Sequence, residues 1–159
     1  MYQLFDFEKR DNFVQGYHFP CAAPSHVVCL IHGIGEYAGR FQRVAEYFNR
    51  AGIAVVSMDL RGHGRSEGKR GHCAPREEIL KDIDSLIEYG KEFYPGLPII
   101  LYGHSMGGNI VLDYRARGTY NEKPVSYTHL YDYPGDFQLD TAESLRIAGK
   151  DQSFLHQID

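Results

Sequence analysis

Three short, almost unbroken apolar runs constrain this chain more than any other feature: Val27-Val28-Cys29-Leu30-Ile31, Ala54-Val55-Val56-Ser57-Met58 and Ile99-Ile100-Leu101-Tyr102. Each lacks the alternation of a strand with one wet face, so each reads as a strand buried on both faces of a parallel sheet. Helical stripes separate them. Phe41, Val44, Ala45 and Phe48 recur at i, i+3, i+4 and i+7, and Gly52 follows as a stop signal. Ile79, Leu80, Ile83, Leu86 and Ile87 form a second stripe, with Glu77, Glu78 and Asp82 near its start, where carboxylates suit the helix dipole. Its end is expected between Gly90 and Pro95. After the third run, Ile110, Val111 and Tyr114 open another stripe that runs out around Gly118. Strand and helix alternating in this way predict an α/β fold with a doubly wound, mostly parallel sheet. Val14 to Phe19 is expected to add an antiparallel edge strand.

Ligands of such sheets bind at the carboxyl ends of the strands. Three glycine-rich turns fall there, at residues 32–39, 59–71 and 103–108. In the last, Gly103-His104-Ser105-Met106-Gly107 lies between the third run and the third stripe. A serine hydroxyl is a weak nucleophile until a base takes its proton, and it must project clear of the sheet to reach a carbonyl. A sharp strand-to-helix turn does the projecting, and Gly103 and Gly107 remove side chains that would collide there. The same turn aims the Met106 backbone N–H at a developing oxyanion. A second donor is expected from the turn after the first run, His32-Gly33-Ile34-Gly35, and the Ile34 N–H is the candidate.

Taken in order, His32-Gly33-Ile34-Gly35-Glu36-Tyr37-Ala38-Gly39-Arg40-Phe41, Asp59-Leu60-Arg61-Gly62-His63-Gly64-Arg65-Ser66-Glu67-Gly68 and Gly103-His104-Ser105-Met106-Gly107-Gly108 resemble the monoacylglycerol lipase and lysophospholipase branch of the α/β-hydrolases. This branch is the serine aminopeptidase-like group, and the resemblance covers roughly residues 14 to 118. It implies an α/β-hydrolase fold and a serine hydrolase of carboxylic esters that works through an acyl-enzyme, with no metal or organic cofactor. Ser105 would be the nucleophile, and the N–H groups of Ile34 and Met106 the oxyanion hole. His32 would support the oxyanion loop. His63 and His104 lie in motifs where the family's histidine does not act on the serine, and the 59–68 turn is expected to be structural. The implied partner is a small acyl ester or lipid.

In that family an acid and then a histidine follow the serine on later strands. Here 54 residues, 106–159, follow Ser105. Pro124 to Leu130 matches a buried parallel strand poorly, and residues 131–140 are rich in turn formers. Leu139 to Ile147 could form a helix. Asp132, Asp136, Asp140 and Asp151 precede His156, so the order is formally available, but surface carboxylates and a terminal histidine are the simpler reading. The expected division is therefore 1–118 as the N-terminal part of an α/β-hydrolase domain, apparently truncated after the nucleophile helix, and 119–159 as an atypical tail. A catalytically incompetent fragment, or a non-enzymatic module of the same fold, is the alternative this leaves open.

Gly33-Ile34-Gly35-Glu36-Tyr37-Ala38 also satisfies G-x-G-x-x-A after a strand, with Asp59 about 20 residues on, the pattern of a dinucleotide site. Glu36 sits where a pyrophosphate would approach, and Tyr37 crowds the turn, so this reading ranks lower. Seventeen Lys and Arg against 21 Asp and Glu give a net charge of −4 with no basic block, which argues against nucleic-acid partners. Cys21, Cys29 and Cys73 are odd in number and form no C-x-x-C, so reduced and mostly buried thiols are expected rather than disulfides or zinc ligands. Asp6 and Glu8 lie where a signal peptide needs a basic start, which makes the cytoplasm the default expectation. No apolar stretch of about 18 residues occurs, so no membrane span is expected, although transient contact with a membrane surface stays open.

Overall fold

The computed structural model describes residues 1–7, 13–116 and, as backbone, 126–129. Its strands are β1 (Gln3–Asp6), β2 (Gln15–Phe19), β3 (His26–Ile31), β4 (Ile53–Met58), β5 (Ile99–His104) and β6 (Ser126–His129). They join in one sheet in the order β1-β2-β4-β3-β5-β6. β4, β3, β5 and β6 run parallel, while β1 and β2 are antiparallel additions at one side.

The apolar runs are unbroken because two cores share them. Along β3, Val27, Cys29 and Ile31 face one core, and Val28 and Leu30 face the other, as the two-residue period of a strand requires. The first core is closed by α2 (Arg76–Phe93), through Ile79, Ile83, Leu86 and Ile87, and by Val111 and Tyr114 of α3 (Met106–Ala116). The second is closed by Ala45 of α1 (Gln42–Arg50) together with Phe41, Tyr17 and Phe19. Burying each large aliphatic side chain contributes roughly 1.5–3 kcal/mol, so the two cores together hold the sheet between its helices.

The helical stripes fall where expected, with adjusted ends. A single 3-10 turn, Ala38–Phe41, precedes α1, so the stripe that begins at Phe41 starts in a tighter turn. α2 opens after Pro75 with Glu77 and Glu78 in its first turn and closes at Phe93. α3 begins at Met106, one turn before the Ile110 that opens its apolar stripe, because Gly107 lets its first turn pack closely against β3.

Three expectations are corrected. The strand at Val14 to Phe19 is antiparallel but is not the edge, since β1 pairs outside it with Gln3 opposite His18. β1 escapes notice because it is largely exposed; it is fixed by pairing and by Phe5, whose ring lies 4.7 Å from Tyr89 and 5.4 Å from Phe7. The segment that matched a buried strand poorly contains β6, paired with β5 from Leu101 opposite Ser126 to His104 opposite His129. β6 is outermost among the described strands, and an edge strand has no need of an unbroken apolar run. Third, the cysteines are free, but only Cys29 is fully buried: Cys21 is half-buried, and Cys73, on the loop after β4, is exposed.

The candidate helix at 139–147, the four aspartates from Asp132 to Asp151 and His156 lie outside the described residues. No described helix is long and apolar enough to cross a membrane.

Candidate active site

β5 ends at His104 and α3 begins at Met106, so Ser105 alone makes the turn between them. Its φ is 52°, and it is the one non-glycine residue with positive φ among the described residues. That conformation costs an L-residue about 1–2 kcal/mol, so the surroundings must impose it. The glycines on either side show how. A Cβ on Gly103 would stand 2.3 Å from the Gly107 carbonyl oxygen, and one on Gly107 would stand 2.2 Å from that of Ile31. The strand end and helix start are thus pressed together and against β3, with backbone atoms that cannot yield. The Ser105 carbonyl accepts the N–H groups of Gly108 at 2.9 Å and Asn109 at 3.3 Å, which opens α3, and the Ser105 side chain is left exposed.

The turn after β3 lies beside this serine. A Cβ on Gly33 would come within 3.1 Å of Ser105 Cβ and 3.2 Å of the His104 carbonyl oxygen. Among the described residues, neither the Ile34 N–H nor the Met106 N–H donates to a protein acceptor. Two backbone donors expected from the sequence, one on the turn after β3 and one at the start of α3, are therefore uncommitted.

His32 is fully buried, and both its ring nitrogens are engaged. The Leu60 N–H donates to Nε2 at 2.9 Å, which leaves Nδ1 to donate to the Gly33 carbonyl at 2.7 Å. Burial pushes its pKa below the ordinary histidine value, outweighing the Gly33 contact and the Asp59 charge. A neutral, doubly bonded ring of this kind braces the turn and moves no proton. His63 Nδ1 lies 3.2 Å from the Arg61 carbonyl, while its Nε2 is buried with no partner. His104 points its Nδ1 at Glu36 Oε2, 2.8 Å away. None of the three bonds to Ser105 among the described residues.

Glu36 was legible only as an obstacle to phosphate, and the structure gives it a place of its own. Its Oε2 accepts the Gly33 N–H at 2.9 Å as well as facing His104, and its Oε1 lies 3.5 Å from Arg40. Burial alone would raise its pKa, but the Gly33 N–H, His104 and Arg40 together hold it below the ordinary glutamate value. One carboxylate thereby ties the turn after β3 to the residue before the serine. An acid three residues after Gly33 and a histidine next to the serine were the available signals, but nothing in one sequence shows that they meet. The same contact weighs against a dinucleotide at this turn, because a phosphate would compete with Glu36 for the Gly33 amide.

Asp59 is fully buried and takes three donors: the Ala38 N–H at 2.7 Å on Oδ1, and the Arg65 N–H at 2.8 Å and Tyr17 hydroxyl at 3.0 Å on Oδ2. The neighbouring Arg61 makes a buried two-pronged pair with Asp82 of α2, at 2.7 and 2.9 Å. Both carboxylate oxygens of Asp59 are thus engaged inside the protein, and the side chain is buried away from any ribose. Cys73 Sγ reaches Met106 Sδ at 3.5 Å, a contact between the loop after β4 and the start of α3 that no sequence pattern announced.

A mostly parallel sheet of six described strands, with a strained serine between an inner strand and its helix and a glycine turn beside it, defines an α/β-hydrolase. Residues 22–124 match the family described as serine aminopeptidase, S33, and the chain belongs to that family. A monoacylglycerol lipase of Mycolicibacterium smegmatis is 45% identical over 109 residues, which are 67% of this chain and 39% of the relative. A monoglyceride lipase of Homo sapiens is 34% identical over 96 residues, 60% of this chain and 32% of the relative. A soluble variant of the Saccharomyces cerevisiae monoglyceride lipase, solved in complex with a substrate analog, superposes with a TM-score of 0.67 at 25% identity, over 75% of this chain and 40% of that one. The chain thus spans about a third to two fifths of the length of these lipases.

Proposed function

We propose that this chain carries the nucleophile and oxyanion elements of a serine ester hydrolase acting on monoacylglycerols or similar carboxylic esters. The observation that carries the reading is Ser105, held at φ 52° between β5 and α3 with the Gly33 turn against it. Ser105 Oγ attacks the ester carbonyl while a histidine takes its proton. The carbonyl oxygen gathers negative charge and is met by the Ile34 and Met106 N–H groups. The alcohol leaves with the proton, an acyl-Ser105 ester remains, and water releases the acid by the reverse path. Support comes from the uncommitted N–H pair and from the lipase names among the relatives.

Fluorophosphonate labelling followed by peptide mass spectrometry tests it. The expected result is a mass shift on the peptide that contains Ser105, absent in Ser105→Ala. Absence of labelling on the folded protein, or labelling elsewhere, overturns the reading in favour of a non-catalytic module on the same fold. A panel of p-nitrophenyl esters of increasing chain length then addresses substrate class, and activity confined to amides would remove the lipase assignment.

A further inference from the structure

The Ile34 N–H belongs to the same planar peptide unit as the Gly33 carbonyl and points the opposite way from it. Whatever grips that carbonyl therefore aims the N–H. His32 Nδ1 donates to it at 2.7 Å, and the Glu36 N–H closes the turn on the same oxygen at 3.4 Å. The other side of Gly33 is held as well, because its own N–H donates to Glu36 Oε2 at 2.9 Å. Glu36 thus grips Gly33 twice, once through its backbone and once through its side chain.

A carboxylate at the end of a glutamate side chain positions nothing unless it is itself fixed, and His104 fixes this one. A carboxylate oxygen only accepts, so the 2.8 Å contact means that His104 Nδ1 carries a proton and donates it to the same Oε2 that holds Gly33. His104 is the last residue of β5, directly before Ser105, and its ring lies 5.6 Å from that of the buried Phe41. Arg40, on an exposed side chain, approaches the other oxygen, Oε1, at 3.5 Å. The two turns that Oε2 joins are already in close contact, since a Cβ on Gly33 would stand 3.1 Å from Ser105 Cβ. A small displacement of either turn therefore changes the distance from the Ile34 N–H to an oxygen developing charge at Ser105.

We propose that Glu36, anchored on His104, is a positioning residue for acyl transfer: its Oε2 registers the turn that carries the Ile34 N–H against the turn that carries Ser105. The part of both side chains is to hold donors in place, not to exchange protons with substrate. The effect on rate rests on the ester-hydrolase reading, whereas the registration of the two turns does not.

The experiment follows fluorophosphonate acylation of Ser105 against probe concentration, with amide hydrogen exchange by NMR on the same proteins. Glu36→Ala, and Glu36→Asp with its carboxylate one methylene short of the turn, should lower the saturating rate by on the order of 100-fold. The half-saturating concentration should stay within about twofold, because a misplaced oxyanion donor acts on the transition state and not on probe binding. Glu36→Gln keeps an oxygen in the place of Oε2 and His104→Asn keeps a donor in the place of Nδ1, so each should stay within about fivefold of the parent. His104→Ala should fall as far as Glu36→Ala, and the double variant no further. In His104→Ala the Gly33 amide, to which His104 makes no bond of its own, should exchange about tenfold faster or more. A lowered urea midpoint in Glu36→Ala with the saturating rate of the parent makes the residue merely structural and overturns the proposal. So do losses that multiply in the double variant, failure of the Gln and Asn variants to rescue, or an unchanged Gly33 amide in His104→Ala. If the parent itself is not acylated, the ester-hydrolase reading fails, and the Gly33 exchange result alone decides whether Oε2 registers the two turns.

Discussion

Replacing Ser105 with glycine and with alanine, and comparing the two, isolates the strain at the turn from every other property of the site. Both variants lose the same hydroxyl, which makes no hydrogen bond among the described residues, so they differ only in the Cβ. At φ 52° that Cβ costs about 1–2 kcal/mol. Glycine removes this cost but loses about 0.5–1 kcal/mol through its greater freedom in the unfolded chain. The net expectation is Ser105→Gly more stable than Ser105→Ala by roughly 0.5–1 kcal/mol. Ser85 supplies the internal reference: it lies within α2, where alanine should be favoured over glycine by about 1 kcal/mol. The glycine-to-alanine difference should therefore change sign between the two serines, a swing of about 1.5–2 kcal/mol. Urea unfolding followed by circular dichroism measures all four variants, and each kcal/mol corresponds to about 2–4 °C in Tm for a protein of this size. If alanine is favoured at position 105 as much as at 85, the turn is not strained and the account of Ser105 given above is wrong.

Asp59→Ala should destabilise the fold by about 3 kcal/mol, because two buried donors and one half-buried donor lose their acceptor at about 1–3 kcal/mol for each buried group. Tyr17→Phe should then cost less in the Asp59→Ala background than in the parent; a loss under about 1 kcal/mol for Asp59→Ala would show that the three donors find other partners. Stability should also fall at alkaline pH. Burial, and then the charge and hydrogen bond of Asp59, raise the Tyr17 pKa above the ordinary value of 10.0, so the folded chain keeps a proton that the unfolded chain releases. Unfolding is favoured as pH climbs past that ordinary value, with a slope of at most about 1.4 kcal/mol per pH unit from this group. The buried Cys29 thiol, also raised by burial, adds to the slope from lower pH. Tyr17→Phe should flatten the dependence above pH 10 in urea titrations, and an unchanged slope would remove Tyr17 from the account.

Much of this architecture could be read directly from residue patterns. β3 and β4 announce themselves because both faces of each strand are buried, and Ser105 because its glycine neighbours have no other reason to flank it. What was missed has a common physical origin. β1 and β6 lie at the outside of the described sheet, where pairing rather than apolar content makes the strand. The Glu36 carboxylate joins residues 68 positions apart in the chain, and Cys73 meets Met106 across 33. Such contacts are set by how loops fall together over the strand ends, which single-sequence periodicity does not encode. The burial of Asp59 follows the same rule: the turn looked structural, but its three donors come from three separate segments.

β5 lies between β3 and β6, and β3 in turn lies between β4 and β5. The amides leading up to Ser105 are therefore protected on both sides, and their hydrogen exchange should proceed through the largest opening the protein undergoes. A serine on a peripheral loop could lose its geometry while the rest of the molecule stayed folded. Here the turn is fastened to strands paired on both sides, so Ser105 should keep its left-handed backbone for as long as the central sheet exists and lose it in the same cooperative event.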